Sequence, residues 1–450
     1  MSQGSVKSVK RLMRLSFRLP LSPPSLFAIN TSRRNSTSPS LIQRGYNYGT
    51  CYATSVPVKQ LPTEAVSAKC CSTNFRSGLK QAEMMPLATR SAMTYLPIAR
   101  NEMCPDRIQN NNKGARRMRY AVWNNKGGVG KTFLSFVLAT EIAKERGIPV
   151  VLVDMCPQAN LSEIVLGGNG TGSERLTGLI QTRQTVGGYF DSRLESPHGK
   201  TGRETEYLLD AHVINDKLPE GVHLVAGDPS LELQAQVINQ ISSQTLPQNS
   251  WRNVHSWLLD LTTSCTEKLG PETMVFIDCN PSFSAYTELS MVAAEALIIP
   301  CSSDGSSARA IDNVGSLLYG LRAGSHYGAA NFSGRANQFN LPLPKIHAVV
   351  LNRSTQYSQK ASKAFTAMFD EIKRRVEALK DAKSDAFIAG GPTFPDVPDS
   401  HSVAIVCSHK GLPLYAVKPG QYEVHDTRPQ VNPEPLERYR KAVEALTATI

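Results

Sequence analysis

The sequence predicts an α/β fold in which a mostly parallel twisted sheet is flanked by helices, with a disordered N-terminal extension ahead of it. Three observations lead there. From Met118 onward, short apolar β-rich runs alternate with helical patterns, as βαβ units do. One junction, AVWNNKGGVGKT, reads as strand, glycine-rich loop and helix in succession. Residues 1–117, by contrast, are rich in Ser, Thr, Arg and Pro and show no sustained apolar period, so they lack the pattern of a packed core.

Taken in order, the extension comes first. It holds 18 basic against 4 acidic side chains, a net +14, whereas residues 118–450 carry a net −3, so the +11 of the 450-residue chain does not describe its globular part. Three readings stand for the extension: a transit peptide, which fits the Arg/Ser bias of its first forty residues; a helix-turn-helix domain, which lacks its pair of amphipathic helices; and translation that begins at Met118. The expected organisation is an extension over 1–117 and one domain over 118–450.

Within that domain, strands are expected at Arg119–Asn124, Pro149–Asp154, Val222–Ala226, Met274–Asp278, Ala296–Pro300, Ile346–Asn352 and Pro413–Val417. A helix opens at Lys131 and stops near Gly147, a C-terminal glycine. A second, from about Gln359 to Lys380, places Phe365, Phe369, Ile372, Val376 and Leu379 on one face. The Gly-, Thr- and Ser-rich stretch 167–205 reads as a surface insertion or a partner-responsive loop. Nine cysteines occur without a CxxC or a Cys/His cluster, which suits reduced thiols better than a disulfide framework or a zinc site. No run approaches the roughly 18 apolar residues of a membrane span, and the expectation is a soluble protein with no membrane partner.

The glycine-rich junction carries the chemistry. Gly127, Gly128 and Gly130 allow a tight turn whose N–H groups face phosphate oxygens, and the following helix N-terminus adds favourable partial charge. Lys131 is then positioned for the β- and γ-phosphates and the Thr132 hydroxyl for Mg²⁺, so the expected cofactors are ATP and Mg²⁺ in a P-loop NTPase fold. Val129 and Phe133 complete the binding stretch Lys126–Phe133. Further on, MVFIDCNPS ends a buried strand at Asp278, where a carboxylate can hold the metal.

The ordinary P-loop pattern has glycine at position 125, yet this chain has Asn125 followed by a second lysine, Lys126. KGGVGKT resembles the deviant Walker A motif of the ParA and MinD family. The resemblance extends to VLVDMCPQANLS, VHLVAGDPSLELQ, AEALIIPCSSDGSSARAIDNV, VVLNRS and PDSHSVAIVCSHKGLPLYAV, and so covers most of 118–450. It implies that Lys126 reaches across an ATP-dependent homodimer to the partner's phosphates, and that Asn352, Val397 and Pro398 neighbour the adenine. It also implies a switch that partitions a plasmid, chromosome or other cargo over DNA, stimulated by a ParB-like partner. The expected location is cytoplasmic and nucleoid-associated, or organellar if the extension is a transit peptide.

Two departures from the family pattern matter. Asn280 replaces a proline after Asp278. Where relatives carry the second aspartate of D-x-D, which positions the attacking water, this chain has Cys156 after Asp154. A thiol is mostly neutral near pH 7 and cannot simply replace a carboxylate. The expected enzyme is therefore a slow ATPase using Lys126, Lys131, Asp154 and Cys156. The alternatives are a non-hydrolysing nucleotide-gated scaffold and the family's metal-cluster branch, which Cys265, Cys279, Cys301 and Cys407 do not suit for want of a CxxC pair. Lys373, Arg374 and Arg375, with Lys360 and Lys363 nearby, are the candidates for nonspecific DNA contact. Asp370, Glu371, Glu377 and Asp381 on the same helix support the rival reading of a solvated mixed-charge face.

Overall fold

The computed structural model describes residues 118–321, 331–354, 356–357, 360–361 and 363–450, so the readings of residues 1–117 lie outside the described residues. The strands are β1 (Arg119–Val122), β2 (Val150–Met155), β3 (Leu209–Asp210), β4 (Val222–Val225), β5 (Met274–Cys279), β6 (Ala296–Cys301), β7 (Lys345–Ser354), β8 (Gln356–Tyr357), β9 (Lys360–Ala361), β10 (Asp396–Pro398), β11 (Gly420–Gln421) and β12 (Gln430–Val431). Eight of them form one sheet in the order β10-β7-β6-β1-β5-β2-β4-β3. Every pairing in it is parallel except β3 with β4 at the edge.

Strands β2, β5 and β6 are buried along their whole length, as expected for parallel strands covered on both faces. Alternate side chains serve two cores. Trp123, Val151, Val153, Val275 and Ile277 face the helices Val186–Glu195, Trp257–Leu269 and Ala285–Ala293, among others. Tyr120, Val122, Val150, Leu152 and Phe276 face Lys131–Arg146, Ser402–Lys410 and Pro433–Thr447.

The helix Lys131–Arg146 begins and ends as its sequence predicts. Gly147 takes a left-handed φ of 62° and donates its N–H to the Ala143 carbonyl at 3.0 Å, while Lys144 and Arg146 in the last turn complement the helix dipole.

Three expectations are corrected. Pro413–Val417 is not a strand: Leu414–Ala416 form a 3-10 turn. Pro413 has no N–H for a ladder, and Arg440 takes the carbonyls of Leu414, Tyr415 and Val417. Of the two readings of 167–205, a surface insertion or a partner-responsive loop, the loop gives way to the helices Thr171–Gln181 and Val186–Glu195, the second of which puts Tyr189, Phe190 and Arg193 in the core. Arg193 is held there by Asp260 at 2.8 Å and the Tyr189 hydroxyl at 3.0 Å. The helix expected from about Gln359 runs Lys363–Ala382, because the β8–β9 hairpin occupies the preceding residues. It buries Phe369, Ile372, Val376 and Leu379 as its spacing predicts, while Phe365 lies outside the described side chains.

Candidate functional site

Strand β1 lies between β5 and β6, so the chain leaving β1 turns at the carboxyl ends of neighbouring parallel strands, where open α/β sheets form crevices. A cavity of about 550 Å³ opens there, lined among others by Gly127, Gly128, Gly130, Thr132, Cys156 and Asn280. Gly128 and Gly130 take φ of 74° and 86°, a region that L side chains enter at a cost. Gly127 is exposed, has no positive φ, and a Cβ added to it would meet nothing within 4 Å. Gly130 precedes Lys131–Arg146, which has no side-chain cap and no acid in its first turn, so its N-terminus presents unsatisfied N–H groups and positive partial charge toward the cavity.

Lys131 is buried, and its ammonium donates to the loop carbonyls of Asn124 at 3.1 Å and Lys126 at 2.9 Å. Burial lowers its pKa, with Asp278 pulling the other way. Phe133 lines the cavity and stacks on Tyr439 with ring centroids 6.2 Å apart.

Asp154 and Asp278 end adjacent parallel strands and face each other in register. Burial raises both carboxyls above their ordinary range, and the neighbouring Asp154 pushes Asp278 further. Their surroundings differ. Asp154 accepts from the N–H of Cys156 at 3.1 Å, the N–H of Ser162 at 2.9 Å and the Ser162 hydroxyl at 2.8 Å, so it fixes the loop after β2. The Thr132 hydroxyl favours the charged form of Asp278, but it lies outside full hydrogen-bonding geometry, and both Asp278 carboxylate oxygens are buried without a bonded partner. A buried carboxylate in that condition is costly, and a divalent cation between Thr132 and Asp278 removes the cost. Thr132 and Asp278 would suit Mg²⁺, which takes one or two protein ligands and completes its shell with phosphate and water.

Cys156 also lines the cavity. Burial, then the negative charge of Asp154, pushes its thiol up to about 12, so it is a neutral group at physiological pH. The Asn280 amide lies 3.9 Å from its sulfur, and the Asn280 carbonyl accepts from the Trp123 indole at 3.1 Å.

Lys126 folds back onto its own chain. Its ammonium donates to the Ser302 hydroxyl at 2.9 Å and pairs with the Asp304 carboxylate. Asn124 braces the loop beneath it, accepting from the Lys126 N–H at 2.9 Å and donating to the Pro300 carbonyl at 2.8 Å.

Asn352 donates to the Val129 carbonyl at 2.8 Å, and Val397 stands opposite it in the β7–β10 pairing with Pro398 next along. These residues are thus gathered at one flank of the loop, although they do not line the cavity described above. The helix with Lys373, Arg374 and Arg375 packs on Gly305–Leu317. There, Arg374 and Arg375 pair with Glu371 and Arg375 also with Asp312, while Lys373 sits 5.9 Å over the Phe394 ring.

Sequence reasoning missed Asn124, Ser302 and Asp304 as support for the loop, and Asn169 and Ser408, which also line the cavity. For Asp304 a signal existed: Asp followed by small residues after an apolar strand is a helix start, and Asp304 does cap Gly305–Leu317.

In sequence, the chain is 30% identical over 181 residues to the chromosome partitioning protein ParA of Caulobacter vibrioides, a match covering 40% of this chain and 54% of that protein. The match thus spans about half the length of these curated relatives. Among solved structures, it is similar to apo McdA of Cyanothece, with a TM-score of 0.48 and 14% identity over 73% of this chain and 100% of that one. It is also similar to the septum site-determining protein MinD of Pyrococcus horikoshii in complex with Mg-ADP, with a TM-score of 0.39 and 14% identity over 74% and 96%. The sequence profile of the CobQ/CobB/MinD/ParA nucleotide binding domain matches residues 120–386. With the glycine cradle and its carboxylates inside that match, the chain belongs to the CobQ/CobB/MinD/ParA nucleotide-binding family.

Proposed function

We propose that this protein is a ParA-type switch that binds ATP with Mg²⁺, dimerises in response and hydrolyses ATP slowly to partition a DNA-borne or other cargo. The observation that carries this reading is the Asp278 carboxylate, buried without a bonded partner near Thr132, beneath the cavity that the glycine loop lines. A triphosphate on the N–H groups of residues 127–133 would bring to that carboxylate the cation it lacks. Bound there, Mg²⁺ supplies charge stabilisation to the phosphate oxygens. Lys131, whose ammonium now donates to the loop carbonyls of Asn124 and Lys126, would turn to the β- and γ-phosphates, and Lys126, once turned from Asp304, would add a second cation where charge develops.

A second reading, a nucleotide-gated scaffold that does not hydrolyse, is favoured by one observation, the neutral Cys156 thiol facing the cavity in place of a water-orienting carboxylate. The two readings share nucleotide-driven pairing and differ only in turnover.

A ParB-like stimulating partner and nonspecific duplex DNA belong to the proposal by resemblance. The ion pairs of Arg374 and Arg375 support a structural role for these cations, so DNA contact is not ascribed to them alone. Among the described residues no helix is long and apolar enough to cross a membrane.

The test is titration of the full chain with MgATP by calorimetry, with molecular mass followed by light scattering. Saturable binding and a doubling of mass are expected, with binding lost in Lys131→Ala and pairing displaced to higher MgATP in Lys126→Ala. Absence of saturable binding, or binding intact when both lysines are alanine, overturns the proposal.

A further inference from the structure

The ammonium of Lys126 has an acceptor pair of its own within the subunit. Its partners, Ser302 and Asp304, lie just beyond β6. Asp304 divides its two oxygens between two tasks. One accepts from the N–H groups of Ser306 at 3.0 Å and Ser307 at 3.1 Å, which caps the helix Gly305–Leu317. The other receives Lys126 and the Ser302 hydroxyl, the latter at 2.9 Å. The Ser302 hydroxyl also lies 3.0 Å from that of Ser307, which in turn accepts from the Ser302 N–H at 3.1 Å. The acceptor is therefore built into a helix start and is not a loop side chain that happens to be near.

The backbone of the lysine is fixed as well. Asn124 holds the Lys126 N–H, so the ammonium can leave Asp304 by side-chain rotation while that turn of the loop stays where it is. With side-chain exposures of 26% for Lys126 and 45% for Asp304, the pair is open enough to break and closed enough to persist.

We propose that Asp304 is a positioning residue that holds Lys126 within its own subunit and competes with nucleotide phosphate for that ammonium, so that it sets the ATP concentration at which two copies pair. This inference rests on the reading above, in which Lys126 serves the dimer. An anion of higher charge, the triphosphate, displaces the single carboxylate, and the helix cap survives the exchange because it uses the other oxygen.

The experiment compares the full-length wild type with Asp304→Asn, Lys126→Ala and the double variant, reading dimer mass against MgATP at low and moderate KCl. Asparagine keeps the cap and removes the charge that holds the lysine; Asp304→Ser provides a second capping variant. Asp304→Asn is expected to pair at about two- to fivefold lower ATP than wild type, the range of a partly exposed ion pair. The gap should narrow with added salt and vanish in the Lys126→Ala background. Equal half-points for wild type and Asp304→Asn, or a shift that persists without Lys126, overturn the assignment to Asp304 alone. Wild type that binds ATP yet never pairs overturns the dimer reading together with it.

Discussion

Asp154 and Asp278 stand opposite each other in the β2–β5 register, one with three donors and the other with none bonded. Nearly identical depth thus gives two conditions, one carboxylate bonded into a loop and one left without a bonded partner.

The first prediction follows from that asymmetry. Burial and Asp154 raise the Asp278 carboxyl, so the folded chain retains a proton at pH values where the unfolded chain has lost it. Stability from this group is present below the ordinary carboxylate range and falls as pH rises through the raised value. Asp278→Asn should therefore stabilise the nucleotide-free chain at pH 8 by about 1–3 kcal/mol and abolish the Mg²⁺ dependence of ATP binding. Urea unfolding at pH 5 and 8, with calorimetry in Mg²⁺ and in EDTA, checks both effects; loss of stability at pH 8 would count against the unsatisfied carboxylate.

Cys156→Asp should act in the opposite direction on stability. It adds a third carboxylate beside Asp154 and Asp278, which burial already disfavours, and should cost about 1–3 kcal/mol without nucleotide. It should also raise the ATPase rate by on the order of tenfold or more by supplying a group that can orient water. A phosphate-release assay at saturating MgATP settles the second point, and an unchanged rate removes Cys156 from the account of turnover.

Adjacent glycines should respond differently to alanine. Gly127→Ala meets open space without a positive φ, whereas Gly128→Ala forces a side chain to φ 74° at about 1–2 kcal/mol. Thermal midpoints and ATP affinity should hold near wild type in the first variant and fall in the second. Equal losses in both would mean that Gly127 is needed for close approach of the ligand.

A second pH dependence comes from Glu141. It is raised from 4.5 to about 7 by burial, against the Tyr415 N–H it accepts at 3.0 Å. Its contribution is fully present below pH 4.5 and is lost as pH rises through about 7. Glu141→Gln keeps an acceptor for Tyr415 and should flatten that slope, gaining about 1–3 kcal/mol at pH 8. Equilibrium unfolding between pH 4.5 and 8 tests it, and a slope equal to that of wild type would assign the pH dependence to other groups.

Much of this was legible in the chain itself. Strands β1, β2, β4, β5, β6 and β7 were readable because each is an apolar run flanked by turn residues, and the P-loop because its glycines and lysines are consecutive. The Pro413–Val417 turn was not, since short apolar runs look alike until Arg440, more than twenty residues later, takes their carbonyls. The folded stretch 167–205 misled through composition: its glycines include helix-packed positions such as Gly172 and Gly188, where a Cβ would strike the backbone of Glu163 or Arg183. The site split along the same line. Lys131 and Thr132 could be proposed from the loop's spacing, Asp278 from its place after an apolar strand and Lys126 by resemblance, while Asp304, which lies 178 residues from Lys126, becomes a neighbour only when β6 is placed beside β1.

Asn124 ties the first turn of the glycine loop to the end of β6 through its two side-chain atoms. The cradle and the neighbouring strand are thereby riveted into one rigid plate, and replacing Asn124 with an apolar residue of similar size should let that plate hinge. Nucleotide would then arrive at a socket whose shape drifts, and the toll would fall on the precision of the geometry long before it reached the fold.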